Sequence, residues 1–295
     1  MKKIAKVLAV TAACAAMTGT VAAFAGCGGT TDIVISGSSS VTPLMEVLAA
    51  VYEIEEGKTI SINQSDSGTG VNEAISGAND IGMASRLIKQ SELDQGIKAV
   101  TIAQDGIALI VSEDCPVESV TIEEITNLYT SGTAIDDSIT AAITREDGSG
   151  TRDAFEELFE VESYDSGVDE QSSTGAVITA IANDQSNSMI GYISLGSLSS
   201  AEEQGCKALS IEYAAEDGST TIVEPTVENV QNGTYGAARY FQLAIKKDMD
   251  TNSDAYQFIE WIKGYMGQSV VLYEGYVPVY YTFNEVEFVE PTPNA

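Results

Sequence analysis

Residues 144–159, TREDGSGTRDAFEELF, set Arg145 and Arg152 on either side of a Gly-Ser-Gly-Thr run. Glycines let a backbone approach an anion closely, hydroxyls add donors that rotate to suit, and a guanidinium meets an oxyanion with two parallel hydrogen bonds. Two further stretches share the design, GSSSV at 37–41 and SGTG at 67–70. Each precedes a run of helical spacing, so the unpaired N–H groups of a first turn would face the same ligand. Any one of these turns also reads as an ordinary N-cap. Three of them, each between a strand and a helix, point to one anion site. Arg145 pairs with that anion or with a nearby acid, and a carboxylate behind it would fix its rotamer. Arg152 opens a helix, where a cation opposes the dipole.

What the chain lacks narrows the chemistry further. Among its 295 residues there is no histidine, which removes Ser-His-Asp and Cys-His nucleophile systems and most zinc sites in their usual form. Serine-lysine pairs, carboxylate pairs and magnesium sites stay open, but no motif for them stands out. The expectation is a binding protein, not an enzyme, with neither metal nor cofactor. A formal charge of −30 argues against a nucleic-acid partner, since a duplex-binding surface needs clustered cations. That surplus does not forbid an anion site, because exposed charges beyond a Debye length of about 8 Å are screened.

The elements that must position these residues follow a leader. Residues 1–26 begin with Lys2, Lys3 and Lys6, continue through small and apolar residues, and read as a signal peptide. Phe24-Ala25-Gly26-Cys27 resembles a bacterial lipobox, which implies diacylglycerol on Cys27, cleavage before it, and a short linker over 27–31. Cys14 leaves with the leader. A disulfide between Cys115 and Cys206 is permitted outside the cell and not required.

Beyond the linker, DIVIS (32–36), TISIN (59–63) and DIGMAS (80–85) read as strands, with helical spacing at Leu44, Val47, Leu48 and Val51 and again at Val71, Ala74, Ile75 and Ala78. This β-loop-α alternation predicts a mainly parallel sheet covered by helices, with ligands at the carboxyl ends of its strands. GIALIVS (106–112) and RYFQLAIK (239–246) read as crossings between two halves of an α/β molecule. DAYQFIEWIKGYM reads as one helix with Phe258, Ile259, Ile262, Tyr265 and Met266 on its apolar stripe.

The order of SGSSSVTPLMEVL, DSGTGVNEAISGANDIGMASR, GIALIVS, TIEEITNLYTSG and TREDGSGTR resembles the phosphate-binding lipoproteins of bacterial phosphate ABC transporters. The resemblance covers nearly all of the chain after Cys27. It implies a two-lobed type II periplasmic-binding-protein fold, each lobe a mainly parallel sheet flanked by helices, with the ligand in the interlobe cleft. Residues 32–109 and 243–295 would form lobe 1, and 110–242 lobe 2. Carried over residue by residue, it implies that Ser39, Ser40, Ser67, Arg145, Ser149, Gly150 and Thr151 contact inorganic phosphate.

Arg86 joins that candidate set at a departure, because many members carry there an aspartate that accepts the proton of hydrogen phosphate. Asp66 or Asp147 is the expected substitute acceptor, or the group that orients Arg86. The implied protein is monomeric, held on the outer face of the cell membrane by the lipid on Cys27, and delivers phosphate to permease subunits. Sulfate, molybdate or tungstate are alternative guests, and hydrolysis of a phosphate ester is the remote alternative.

Overall fold

The computed structural model describes residues 31–214 and 219–281. The expected leader and the expected lipid site at Cys27 lie outside the described residues. Strands β1 (Ile33–Ser38), β2 (Ile60–Ser65) and β3 (Ile81–Ala84) alternate with helices α1 (Thr42–Glu56) and α2 (Ser67–Ser76), and the short α3 (Gln90–Leu93) follows. Pro43 in its first turn starts α1, and Gly57 ends it at φ 69°, where a side chain would be strained. A 16-residue strand, β4 (Ile97–Ser112), then leaves this half of the molecule.

The second half holds β5 (Ser119–Thr121), α4 (Ile122–Ser131), β6 (Ala141–Arg145), α5 (Gly150–Leu158), β7 (Asp169–Gln171), α6 (Thr174–Ala182) and β8 (Met189–Ser194). It continues with α7 (Leu198–Glu202), β9 (Cys206–Ala208), β10 (Ser210–Ala214), β11 (Thr220–Val223) and α8 (Val227–Gln231). Strand β12 (Ala238–Lys246) returns to the first half, which α9 (Asp254–Lys263), α10 (Tyr265–Tyr273) and β13 (Val277–Pro278) complete.

The main sheet runs β2-β1-β3-β12-β4-β8-β6-β7, with β9 and β13 also on β4. Its flanks are parallel, β1 to β2 and β3 in one half, β6 to β7 and β8 in the other. The two crossing strands are antiparallel to their neighbours. On β4, pairing passes from β12 at Gly106 to β8 at Ile107, so that peptide joins the two halves of the sheet.

The crossing strand starts well before the GIALIVS stretch, at Ile97. Residues 98–101 are only half-buried, so their mixed polarity hides a strand that the fully buried run from Asp105 onward reveals. The stretch DAYQFIEWIKGYM is likewise two helices, not one. Gly264 is extended (φ −72°, ψ 171°) and breaks it, leaving Tyr265 exposed and bringing Gly267 against the Ile262 backbone, where no Cβ would fit.

Each half has its own core. One is built on Ile33, Leu44, Leu48, Phe241 and Phe258, the other on Leu109, Tyr129, Phe155, Tyr192 and Ile193. At the crossing itself, Arg239 on β12 faces Asp105 on β4, with Nε 2.9 Å from Oδ2 and both side chains buried. Burial raises the Asp105 carboxyl above its ordinary value and lowers Arg239 below its own, each partly offset by the other's charge. Cys115 and Cys206 are both free, buried thiols, so the permitted disulfide is not formed.

Candidate functional site

The carboxyl ends of β1, β3 and β6 converge with the first turns of α1, α2, α5 and α6. After β1 the chain turns sharply, Val41 N donating to Ser38 O at 3.0 Å and Ser39 N to Ser65 O at 3.0 Å. The turn's own amides are thereby used, and its hydroxyls point across to the other half. Ser40 Oγ lies 2.8 Å from Thr151 Oγ1 and 3.1 Å from Thr174 Oγ1. Ser39 Oγ accepts from Arg145 Nη2 at 3.0 Å.

The second loop is organised by Asp66, which caps α2 by accepting from Thr69 N at 2.8 Å and from Thr69 Oγ1 at 2.5 Å. Ser67 is completely buried and accepts from Ser85 N at 3.1 Å, with Ser85 Oγ 3.4 Å away. Gly68 N donates to Gly148 O at 3.1 Å, a backbone bond that crosses between the halves.

On the opposite wall Ser149 caps α5, accepting from Arg152 N at 3.4 Å. The amides of Gly150 and Thr151 belong to the first turn and have no intrahelical acceptor by position. Gly150 must be glycine here, since a Cβ would overlap Ser67 Oγ. Arg145, the last residue of β6, is 1% exposed. Glu146 grips it from behind, Nε donating to Oε2 at 2.7 Å and Nη2 to Oε1 at 2.7 Å. Its Nη1 reaches Thr174 Oγ1 at 3.3 Å.

The wall behind is hydrogen-bonded and stacked. Tyr192 Oη accepts from Arg145 N at 3.2 Å and lies 2.8 Å from Thr144 Oγ1, while its ring stacks on Phe155 of α5 at 3.9 Å. Burial raises the Tyr192 phenol above its usual value, so it stays neutral.

Of the residues predicted from sequence, the structure therefore gathers Ser39, Ser40, Ser67, Arg145, Ser149, Gly150 and Thr151. Arg86 is buried beside these residues with its terminal nitrogens engaged elsewhere: Nη1 and Nη2 fork onto Glu92 at 2.9 and 2.7 Å, and Nη1 also meets Leu87 O. Asp66, the expected acceptor, has both oxygens on Thr69, and Asp147 is exposed. Arg152 turns away to Glu156 at 2.8 Å and Glu170 at 3.2 Å, with its guanidinium over the Tyr164 ring.

Two members of the site escaped the sequence reading. Ser85 follows β3 and its Oγ lies 3.3 Å from Thr151 Oγ1. Thr174 opens α6 and contacts Ser40 and Arg145. The signal for Thr174 was present, since Ser-Ser-Thr-Gly at 172–175 repeats the small-residue turn before a helix.

None of the hydroxyls of Ser39, Ser40, Ser67, Ser149, Thr151 or Thr174 hydrogen-bonds a carboxylate or an amine that could take its proton; their partners are other hydroxyls, backbone N–H groups and Arg145. A set of hydroxyls and N–H groups of this kind can surround an anion with donors.

The PBP superfamily domain profile matches residues 25–264 of the chain. A Clostridium perfringens protein solved with bound phosphate, and described as a phosphate ABC transporter substrate-binding protein, superposes with a TM-score of 0.74 at 33% identity, covering 84% of this chain and 99% of that one. The phosphate-binding protein PstS of Staphylococcus epidermidis is 28% identical over 79% of this chain and 74% of its own length. The phosphate-binding protein PstS 2 of Streptococcus agalactiae is 43% identical over 102 residues, a match that spans about a third of each chain, 34% and 35%.

Proposed function

The chain belongs to the PBP superfamily, and from that premise we propose that it captures inorganic phosphate between its two halves outside the cytoplasm and hands it to the permease of an ABC importer. The observation that carries this reading is Arg145. A fully buried guanidinium, fixed by Glu146, meets hydroxyls from both halves of the molecule at Ser39 and Thr174. A tetrahedral oxyanion between those groups would satisfy donors that belong to different lobes, so binding and closure stabilise one another.

The ligand set in this proposal is Ser39, Ser40, Ser67, Arg145, Ser149, Gly150 and Thr151, with Thr174 added. Arg86 is left out because its guanidinium is held by Glu92. Calorimetric titration of refolded, dialysed protein with phosphate, arsenate and sulfate tests the reading: phosphate and arsenate should bind and compete with each other. A second reading, a receptor for sulfate, molybdate or tungstate, is favoured by one observation, that the Asp66 and Glu146 oxygens are already engaged. Displacement of phosphate by sulfate at comparable concentration would decide for it.

Anchoring is part of the same proposal. The basic start, the apolar run and Cys27 support a lipid-held receptor, each buried methylene contributing about 0.8 kcal/mol. Cys27→Ser should release the protein into the medium, and intact mass should lose the acyl chains.

A further inference from the structure

Arg86 follows β3 in the first half, and Asp153 lies in the first turn of α5 in the second. Arg86 Nε is 2.8 Å from Asp153 Oδ2, and Lys89 Nζ is 3.0 Å from the same oxygen. The guanidinium does not have to be recruited to this contact. Its fork onto Glu92 and its bond to Leu87 O hold it within its own half, with the Nε edge turned across the cleft. The Arg86 side chain is 7% exposed and Asp153 30%, so the pair is only partly screened by solvent. Nε makes no aligned hydrogen bond, and the attraction is that of an ion pair. Burial opposes the Arg86 charge, but Glu92, Asp153 and Asp66 outweigh it and leave the pKa raised.

Asp153 stands two residues from Thr151, on the helix whose first turn faces the anion site. A carboxylate so placed repels a bound anion unless cations across the cleft neutralise it. We propose that Arg86 and Lys89 form a latch on Asp153 that is made only when the two halves come together, fixes the first turn of α5 over the site, and slows escape of the bound oxyanion. The latch rests on the phosphate reading for its ligand but not for its geometry. Arg86, Lys89 and Asp153 act as positioning residues and do not touch the guest. Closure costs the entropy of bringing two bodies together, and a contact present only in the closed form lowers the closed state alone, so its effect falls on release and not on capture.

Release of phosphate from the full-length, phosphate-loaded protein, followed by stopped-flow displacement, tests this for wild type, Asp153→Asn and Asp153→Glu. Asp153→Asn should release about tenfold faster with an unchanged association rate. Its melting temperature should fall with phosphate bound and hold without it, and Asp153→Glu should recover part of the slow release. Release that is unchanged or slower overturns the latch, slower release meaning that repulsion of the anion by Asp153 dominates. An equal loss of melting temperature in the ligand-free protein also overturns it, because a merely structural pair acts in both states. If wild type binds no phosphate, the ligand reading fails and the latch is read separately, from the distance between spin labels at the exposed Glu56 and Glu123. Measured with sulfate in place of phosphate as the closing anion, Asp153→Asn should then lengthen that distance, and an unchanged distribution overturns the proposal.

Discussion

Glu146 holds Arg145 by two hydrogen bonds of 2.7 Å each, from Nε and from Nη2, and so fixes the direction of the guanidinium without help from a ligand. The Nη1 edge is left facing Thr174. A side chain with many rotamers is thereby ordered during folding, and binding does not bear that entropy cost. Arg145→Ala should lower phosphate affinity by about 2 to 5 kcal/mol. Arg145→Lys should rescue little of it, because an ammonium cannot serve Glu146 and the cleft with one planar fork. Calorimetry of both variants checks this, and near-wild-type affinity in the lysine variant would count against the fork.

Thr174→Val isolates one of the two residues that the sequence reading missed. Valine keeps the branched shape and removes the hydroxyl that Ser40 and Arg145 share. Loss of one buried donor to an anion should weaken binding about tenfold, with a melting temperature close to wild type. Titration beside a thermal melt separates the two effects.

Asp66 and Asp147 should differ in kind. Asp66→Ala removes the α2 cap and should cost about 1 kcal/mol of stability in urea unfolding, whereas Asp66→Asn keeps an acceptor and should be nearly neutral. Asp147→Asn, at an exposed position, should change stability little. Neither asparagine variant should alter the preference between phosphate and sulfate in competition titrations; a shift in either would restore that residue as the acceptor.

The Arg86–Glu92 fork predicts an acid-sensitive contribution. Burial raises the Glu92 pKa, but Arg86 and the Lys89 N–H outweigh burial, and the net value lies below the usual carboxylate range. The folded pKa is depressed, so the stabilisation is fully present above the unfolded value of about 4.3 and is lost as pH falls through the lower folded value. Melting temperatures of wild type and Glu92→Gln should therefore differ at pH 7 and converge below that range. A gap that persists undiminished at low pH would mean that packing, not charge, carries Glu92.

The donor-rich turns that hold Ser67, Ser149 and Gly150 were legible because turn chemistry is local. An Asp or Ser cap, a glycine and a helical run are set by residues within a few positions of one another, and each reports the end of a strand. The break at Gly264 was not legible, since the apolar stripe runs on through Tyr265 and Met266 while Gly267 packs on Ile262. Nor was the start of β4, where residues 98–101 are only half-buried.

The sequence by itself determined the β-loop-α rhythm, the absence of histidine chemistry and the donor-rich loops, because these depend on residue type and short spacing. Tertiary structure alone decided which charges meet between the two halves. Arg145 takes Glu146, its neighbour in the chain, whereas Arg86 reaches 67 positions along the chain to Asp153. Such pairing is a property of how two separately built halves face each other, and spacing along the backbone carries no record of it.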